Sequence, residues 1–346
     1  MSAIRPHGDL AAEPAFDDDD DEYRAPWWAA LVGGSARWIG GILLALVVLF
    51  AALEPSTFVS VANARNLGND AAILLVLAVG ETFVTVLAGI DLSCGSILVF
   101  AGVISAKAMN AMGGNDWGVI IVGLIVALGC GFGWGLINGF LVGKAKISSF
   151  IVTLGTLGMA LGLALVITGG VDVTTVPFKL VTGIGNGRFA GQIPWLVIIG
   201  VAVTAVFGVI LRATRFGRFT YAIGSNQEAA RRAGIPVDWH IAKVFGVAGL
   251  LYGLAGFLSL ARFDTTTVAG HSTDNLQAIT AVVIGGTSLF GGVGTMLGSF
   301  FGVLIPSVLQ NGFVIAGIQP FWQQVAVGAV LIVAVYLDRL RRKSRY

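Results

Sequence analysis

Acidic side chains inside long apolar stretches are the residues of this sequence best placed to do chemistry. Glu81 lies within one such stretch, and Asp91 follows it in the run Gly-Ile-Asp-Leu-Ser. An ionised carboxylate at membrane depth is costly, so we expect Glu81 to face protein or a watery cavity, or to be neutral. Two roles stay open for it: lining a transport path, or hydrogen bonding to a threonine such as Thr82, Thr85 or Thr153.

Asp91 and the neutral polar residues at apolar depth carry the same ambiguity. Asp91 is placed either to cap the following helix by accepting backbone N–H groups or to contact a substrate. Hydroxyls and amides without repeated charges suit a polar, uncharged solute, although such groups also join membrane helices. The candidate pathway residues are Glu81, Asp91, Ser93, Asn138, Thr153, Thr156, Ser288 and Asn311.

Motifs that would support catalysis are absent from the sequence. It has no GxxxxGK[ST] phosphate loop, no GxSxG, no HExxH and no CxxC. Its three histidines are scattered, and Cys94 and Cys130 lie among apolar neighbours. We therefore expect no catalytic residues, no metal site and no cofactor bound by this chain itself.

The elements that must position these residues are membrane helices. The chain has 346 residues, of which 56% are hydrophobic and 12% charged, with a mean hydropathy of +0.86; soluble domains carry about 25% charge. A crossing helix needs about 20 apolar residues. We predict an all-α polytopic protein with about ten spans, of which the second, eighth and ninth are broken or tilted. They lie near Trp38–Leu53, Ala71–Ala88, Ser96–Met112, Trp117–Val142, Ser148–Thr168, Trp195–Leu211, Val244–Ala261, Leu276–Phe290, Thr295–Val314 and Phe321–Leu337.

Charged residues between the spans predict the topology. Basic residues cluster at Lys144 and Lys146, in the loop 212–243 and in the tail 339–346. Such clusters are typical of cytoplasmic membrane loops rather than of nucleic-acid binding, and ten spans place all three on one side with both termini. Eight of the 19 acidic residues fall in the first 25 positions. We expect residues 1–36 to form a disordered cytoplasmic tail before a transmembrane domain at 37–338.

The basic loop 212–243 contains the signals of a short helix. Ser225 and Asn226 are capping candidates before Glu228, and Gly234 ends the run of helix formers. This stretch is too short and too charged to span. We predict a short amphipathic helix in a cytoplasmic loop.

A faint internal echo links the two halves of the chain. The run Val86–Ser96 resembles the run Val283–Gly292, since both place glycines and a small polar residue after an apolar stretch. Transporters are often built from repeats whose broken helices form the substrate route. Chance similarity of glycine-rich membrane sequence is the other interpretation, and the sequence does not separate the two.

Four ordered blocks resemble a known family. GIDLSCGS at Gly89–Ser96, SFIVTLGT at Ser149–Thr156, the run Thr214–Ile235 containing TRFGR, YAIGSN and EAA, and the glycine-rich Ile284–Thr295 are similar to blocks of ribose-type permease subunits of bacterial ABC importers. The likeness extends from about Pro55 to Leu337.

The resemblance implies a multi-pass subunit of a bacterial inner membrane that imports a monosaccharide of the pentose or hexose class by alternating access. It implies four partners besides membrane lipid: an extracytoplasmic solute-binding protein, a second identical or related permease, the sugar, and a cytoplasmic ATPase that uses ATP and magnesium. The pore would lie between two permeases, close to broken segments near Asp91 and Ser288. The loop helix would couple to the ATPase, through Arg218, Asn226, Glu228, Ala229, Ala230, Arg231 and Gly234.

Other functions remain compatible with the residues. An ion-coupled secondary carrier would use Glu81 as its proton site, and a membrane scaffold would transport nothing. Among ABC permeases, nucleosides, signalling furanones and branched-chain amino acids are alternative substrates.

Overall fold

A computed structural model describes residues 34–266 and 269–343, and helices dominate it. The predicted all-α polytopic architecture is confirmed. The helices are α1 (Gly34–Leu53), α2 (Pro55–Phe58), α3 (Val61–Val86), α4 (Cys94–Met112), α5 (Trp117–Gly143), α6 (Ser149–Thr168), α7 (Phe178–Leu180), α8 (Trp195–Ala213), α9 (Arg215–Ser225), α10 (Gln227–Arg232), α11 (Val237–Phe263), α12 (Asp274–Ile284), α13 (Met296–Ile315) and α14 (Pro320–Lys343). A π-helical turn, Val181–Gly185, precedes a small antiparallel pair, β1 (Arg188–Phe189) and β2 (Ile193–Pro194), in which Phe189 lies opposite Ile193.

Seven helices of the described residues are long and apolar enough to cross a membrane: α3, α4, α5, α6, α8, α11 and α13. Shorter apolar helical segments occupy Ile39–Leu53, Asp274–Ile284 and Phe321–Val333. These ten segments fall on the ten predicted stretches. The number of crossings and the side of each terminus stay predictions.

Two of the three spans predicted to be broken or tilted are unbroken helices. The second is continuous as α3 and begins ten residues before its predicted start at Ala71, while the ninth is continuous as α13 despite Pro306 within it. The eighth, predicted to reach Phe290, ends at Ile284. The breaks therefore follow helices rather than interrupt them: one lies at 87–93, after α3, and the other at 285–295, after α12. We call these the first break and the second break.

The core is built on α3 and α11, which are buried over most of their length. Glycines let α5 approach α11 closely: a Cβ at Gly131 would lie 2.1 Å from the carbonyl oxygen of Gly249, and one at Gly135 would lie 2.2 Å from that of Phe245. Small residues at such spacing allow backbones to pack where no water drives association. α3 and α11 together bring Glu81 into the centre of the molecule.

Two of the basic loops lie on the same face. Asp238, in the first turn of α11, forms ion pairs with Lys146 and, at 3.0 Å, with Arg231. Lys144 lies over the ring of Trp239, 4.8 Å from its centroid. Exposed ion pairs contribute little stability, but these contacts place the loop after α5 beside the loop 212–243, as the charge pattern predicted.

Helices extend past both ends of the predicted transmembrane domain at 37–338, whose boundaries stay predictions. α1 begins at Gly34, and α14 extends to Lys343, through most of the predicted basic tail at 339–346. The disordered segment predicted for residues 1–36 lies outside the described residues, except for its last three.

Candidate functional site

The first break begins where α3 ends in a left-handed turn. Ala88 has φ of +65°. Its N–H donates to the carbonyl of Thr85, and the N–H of Gly89 donates to that of Val84, each at 2.9 Å. These two bonds define a Schellman motif, which satisfies the last carbonyls of a helix. The turn directs the chain back toward Glu81.

Glu81 is fully buried and accepts two hydrogen bonds. The hydroxyl of Tyr252 on α11 donates to one carboxyl oxygen at 3.1 Å, and the backbone N–H of Asp91 donates to the other at 3.3 Å. Of the two roles left open for Glu81, the hydrogen bond to a threonine is not formed, because α3 directs this carboxyl toward α11 and the first break. Glu81 joins the central helix to the break.

Asp91 orders the turn that leads into α4. Its Oδ1 accepts from the backbone N–H of Ser93 at 2.8 Å and from the Ser93 hydroxyl at 2.5 Å. The bonded amide is that of Ser93, the residue before α4, so Asp91 holds the turn rather than capping the first helical amides. The Ser93 hydroxyl in turn accepts from Nδ2 of Asn138 on α5 at 2.9 Å. Asp91 Oδ2 and Asn138 Oδ1 have no hydrogen-bond partner among the described residues.

The start of α6 completes this polar cluster. The Ile90 N–H donates to the Ser149 hydroxyl at 3.1 Å, and the Thr153 hydroxyl lies 3.2 Å from the Ile90 carbonyl oxygen. Thr156, one turn further, bonds the Thr153 carbonyl within α6. The two sequence blocks at Gly89–Ser96 and Ser149–Thr156 therefore meet. Glu81, Asp91, Ser93, Asn138 and Thr153 form one connected cluster, which we call the buried polar cluster.

The second break begins with the same turn as the first. Gly286 has φ of +88°, its N–H donates to Val283 at 2.9 Å, and the N–H of Thr287 donates to Val282 at 3.1 Å. Gly286 is therefore the structural counterpart of Ala88. The similarity of the two runs therefore extends to their backbone conformation. The letters agree best when Gly286 is aligned with Gly89, whereas the turns superpose Gly286 on Ala88, one residue earlier.

The two breaks lie side by side. The Gly292 N–H donates to the Val86 carbonyl at 2.9 Å, and the Thr82 and Ser299 hydroxyls are 2.7 Å apart, which joins α3 to α13. Ser288 lies inside the second break, where its N–H donates to Val293 at 3.0 Å. The candidates Asp91 and Ser288 thus belong to adjacent segments.

Asn311 is separate from the other candidates. It exchanges two hydrogen bonds with Asn63 at the start of α3, at 3.0 and 2.8 Å. This position is at the opposite end of α3 from the two breaks. In the structure Asn311 joins α13 to α3.

The predicted loop helix is α10. Asn226 Oδ1 accepts from the Ala229 N–H at 2.9 Å. At the other end, Gly234 with φ of +79° closes a Schellman motif, in which its N–H donates to Arg231 and that of Ile235 donates to Ala230, both at 3.1 Å. The capping predictions for Asn226 and Gly234 are confirmed.

α10 projects from the body of the protein. Ala230 is its one buried residue, while Glu228 and Ala229 are exposed, as is Arg232, which pairs with Glu228 at 3.4 Å. Arg218, on α9, is also exposed and bonds the Ala213 carbonyl at 3.3 Å. A helix fixed at both ends and open on most sides can bind a partner without first having to fold.

Sequence reasoning gave no role to two residues of α9 that contact the second break. The Tyr221 hydroxyl donates to the Gly294 carbonyl at 2.7 Å, and burial raises the pKa of this phenol. Gly224 lies against Val86 and Gly292 so closely that a Cβ would be 1.8 Å from the Val86 oxygen. Both residues lie in the YAIGSN run, which was the available signal.

Broken connections beside buried polar residues, together with a preformed helix outside the bundle, are typical of the membrane-embedded part of a transporter. A family model described as "Branched-chain amino acid transport system / permease component" matches residues 63–335, and the chain belongs to this family. It is an ABC permease component and not an enzyme.

Several curated proteins are similar to the chain over most of its length. The ribose import permease protein RbsC of Bacillus subtilis (strain 168) is 39% identical over 86% of this chain and 90% of its own. The D-allose transport system permease protein AlsC of Escherichia coli (strain K12) is 34% identical over 87% and 91%. The galactose/methyl galactoside import permease protein MglC of the same strain is 30% identical over 87% and 94%. No solved structure matches.

Proposed function

We propose that this chain forms the channel of an ATP-driven importer for a monosaccharide in the inner membrane of a bacterium. The similar proteins named above are permeases for ribose, allose and galactose, which supports a pentose or hexose. The buried polar cluster consists of hydroxyl, amide and carboxyl groups, all of which can hydrogen-bond a hydroxyl-rich solute. An extracytoplasmic solute-binding protein would deliver the sugar.

The observation that carries the coupling part of the proposal is the form of α10. Its ends are capped by Asn226 and Gly234, and of its six residues Ala230 is the buried one. A rigid helix of this kind transmits a rigid-body shift instead of absorbing it. We assign it to the groove of a cytoplasmic ATPase, which binds ATP and magnesium and supplies the energy.

The transport path is assigned to the interface between two permease subunits, identical or related. The first and second breaks lie next to each other at the end of α3 that faces the basic loops. Alternating access would then be a shift of these two segments and their helices between two arrangements. Asp91 and Ser288 are the candidates within them.

The test is uptake by proteoliposomes that contain the chain and a candidate ATPase partner, with a candidate solute-binding protein added outside. Labelled ribose, allose, galactose and leucine are offered one at a time. We expect uptake of a monosaccharide that requires ATP inside the vesicles and survives a protonophore. Empty vesicles and vesicles without the ATPase are the controls.

Three results would contradict the proposal. Uptake that needs no ATP and collapses with the protonophore would identify an ion-coupled carrier. Uptake of leucine alone would identify an amino-acid permease, the class that the family description names. No flux of any solute with all partners present would favour a scaffold.

A further inference from the structure

Helix α9, which precedes α10 in the same loop, contacts both breaks at one place. Three backbone segments meet there: the end of α3 at Val86, the second break at Gly292, and the end of α9 at Gly224. The Gly292 N–H donates to the Val86 carbonyl at 2.9 Å. The Cα of Gly224 packs against the same carbonyl group. We call this meeting point the glycine junction.

The backbones can approach closely at the glycine junction because glycine has no side chain. A Cβ on Gly224 would lie 1.8 Å from the Val86 oxygen and 2.8 Å from the Gly292 nitrogen. A Cβ on Gly291 would lie 2.7 Å from the Gly224 oxygen and 2.6 Å from the Ala88 Cβ. Contacts this close leave no free space, so a displacement of α9 must move both breaks or open the junction.

A hydrogen bond holds the same helix to the second break one turn earlier. The Tyr221 hydroxyl donates to the Gly294 carbonyl at 2.7 Å, and a Cβ on Gly294 would lie 2.9 Å from a Val86 methyl group. Because Asn226 is both the C-cap of α9 and the N-cap of α10, a single residue separates the two helices.

We propose that Gly224 and Tyr221 are the positioning residues through which motion of α10 reaches both breaks at once. A shift of α10 passes through Asn226 to the glycine junction. From Val86 it reaches Asp91 through the first break, and from Gly292 it reaches Ser288 through the second. This inference rests on the proposed function, since it needs α10 to be the element that a partner moves.

The test is the ratio of solute transported to ATP hydrolysed in the reconstituted complex. Gly224→Ala forces a methyl group into the glycine junction without touching the exposed surface of α10. We expect the complex to assemble and to hydrolyse ATP at close to the normal rate, while the ratio falls about tenfold, within the range of allosteric couplings.

Gly217→Ala is the matched control. Gly217 lies at the start of α9, and a Cβ there would also lie 1.8 Å from a carbonyl oxygen, that of Leu211 in α8. This contact seats the same helix but touches neither break. We expect the transport ratio to be kept, even if less protein folds. An equal loss of ratio in both variants would show that α9 only needs to be seated, and the proposal would fail.

A milder pair keeps the inference testable if Gly224→Ala does not fold. Tyr221→Phe removes the bond to Gly294, and we expect the ratio to fall about fivefold, as for one buried hydrogen bond. Its control, Thr220→Val, removes the neighbouring bond to His240 at 2.9 Å, which joins α9 to α11 instead. A normal ratio in Tyr221→Phe overturns the role of this bond.

Measurements on the unmodified complex distinguish a failure of the proposed function from a failure of the role assigned to the glycine junction. If it shows no ATP-dependent uptake, the proposed function is wrong. If it takes up solute and Gly224→Ala retains the normal ratio, the function stands and the glycine junction transmits nothing.

Discussion

The first and second breaks begin with the same turn, but different kinds of contact stabilise the rest of each segment. Each opens with a Schellman motif, at Ala88 in one and Gly286 in the other. The first is then fixed by side chains of the buried polar cluster, through Glu81 and Asp91. The second is fixed by backbone packed against backbone, as where Gly285 meets Gly298.

This difference teaches that a repeated turn can serve two tasks. A polar cluster offers hydrogen-bonding groups, so it can change partners when a solute or a neighbouring segment moves. Backbones in close contact have no alternative partners to bind, so a displacement of one segment moves the other. The second break also receives the contacts of Tyr221 and Gly224 from α9, whereas the first receives Tyr252 from α11.

The strongest way to break the comparison is to add one methyl group on α13 where it packs against the second break. In Gly298→Ala the new Cβ would lie 2.0 Å from the Gly285 carbonyl oxygen. We expect the free energy of unfolding to fall by about 3 kcal/mol, the upper range for overpacking. The measurement is unfolding of the detergent-solubilised protein, followed by circular dichroism.

Gly158→Ala is its control, because nothing lies within 4 Å of a Cβ at that position of α6. Here the better helix propensity of alanine should leave stability unchanged or raise it by about 0.5 kcal/mol. Equal losses at Gly298 and Gly158 would mean that close backbone contact is not what holds the second break.

A smaller effect is expected from the first break when one hydroxyl is removed. Tyr252→Phe leaves the fully buried ring in place but deprives Glu81 of its donor at 3.1 Å. We expect a loss of about 1.5 kcal/mol, the upper range for a single intramolecular hydrogen bond. Tyr336→Phe, at a tyrosine that is 59% exposed, should change stability by less than about 0.5 kcal/mol. No loss in Tyr252→Phe would remove the side-chain account of this break.

The smallest effect is expected at the left-handed residue of the turn with which both breaks begin. Ala88 adopts a left-handed conformation that costs an L-residue about 1 kcal/mol, and its side chain is exposed. Ala88→Gly should therefore raise the free energy of unfolding by about 1 kcal/mol, and Gly286→Ala should lower it by a similar amount. Thermal unfolding of both variants checks the signs. Shifts of the same sign would show that the two turns are not equivalent.

Features that depend on near neighbours could be predicted from the sequence. The ten apolar stretches, the cap at Asn226 and the stop at Gly234 follow from residues a few positions apart. The likeness between the two breaks is also visible in the sequence, but identical letters do not reveal which residue of each run carries the positive φ, Ala88 or Gly286. A break in the second span, one of the two predicted alternatives, is wrong, because Gly80 and Glu81 are tolerated within a helix that packs against other helices on most sides.

What the sequence by itself determined is which ten apolar stretches are helical, where the loop helix is capped and to which family the chain belongs. Only the tertiary structure decided the partners of the buried residues: Tyr252 meets Glu81 across 171 positions, and Asn311 meets Asn63 across 248. The physical reason is the separation along the chain between the residues that make each contact. A cap or an apolar stretch is stabilised within a few residues of itself, whereas a buried polar group takes whichever donor the packing of distant helices brings to it.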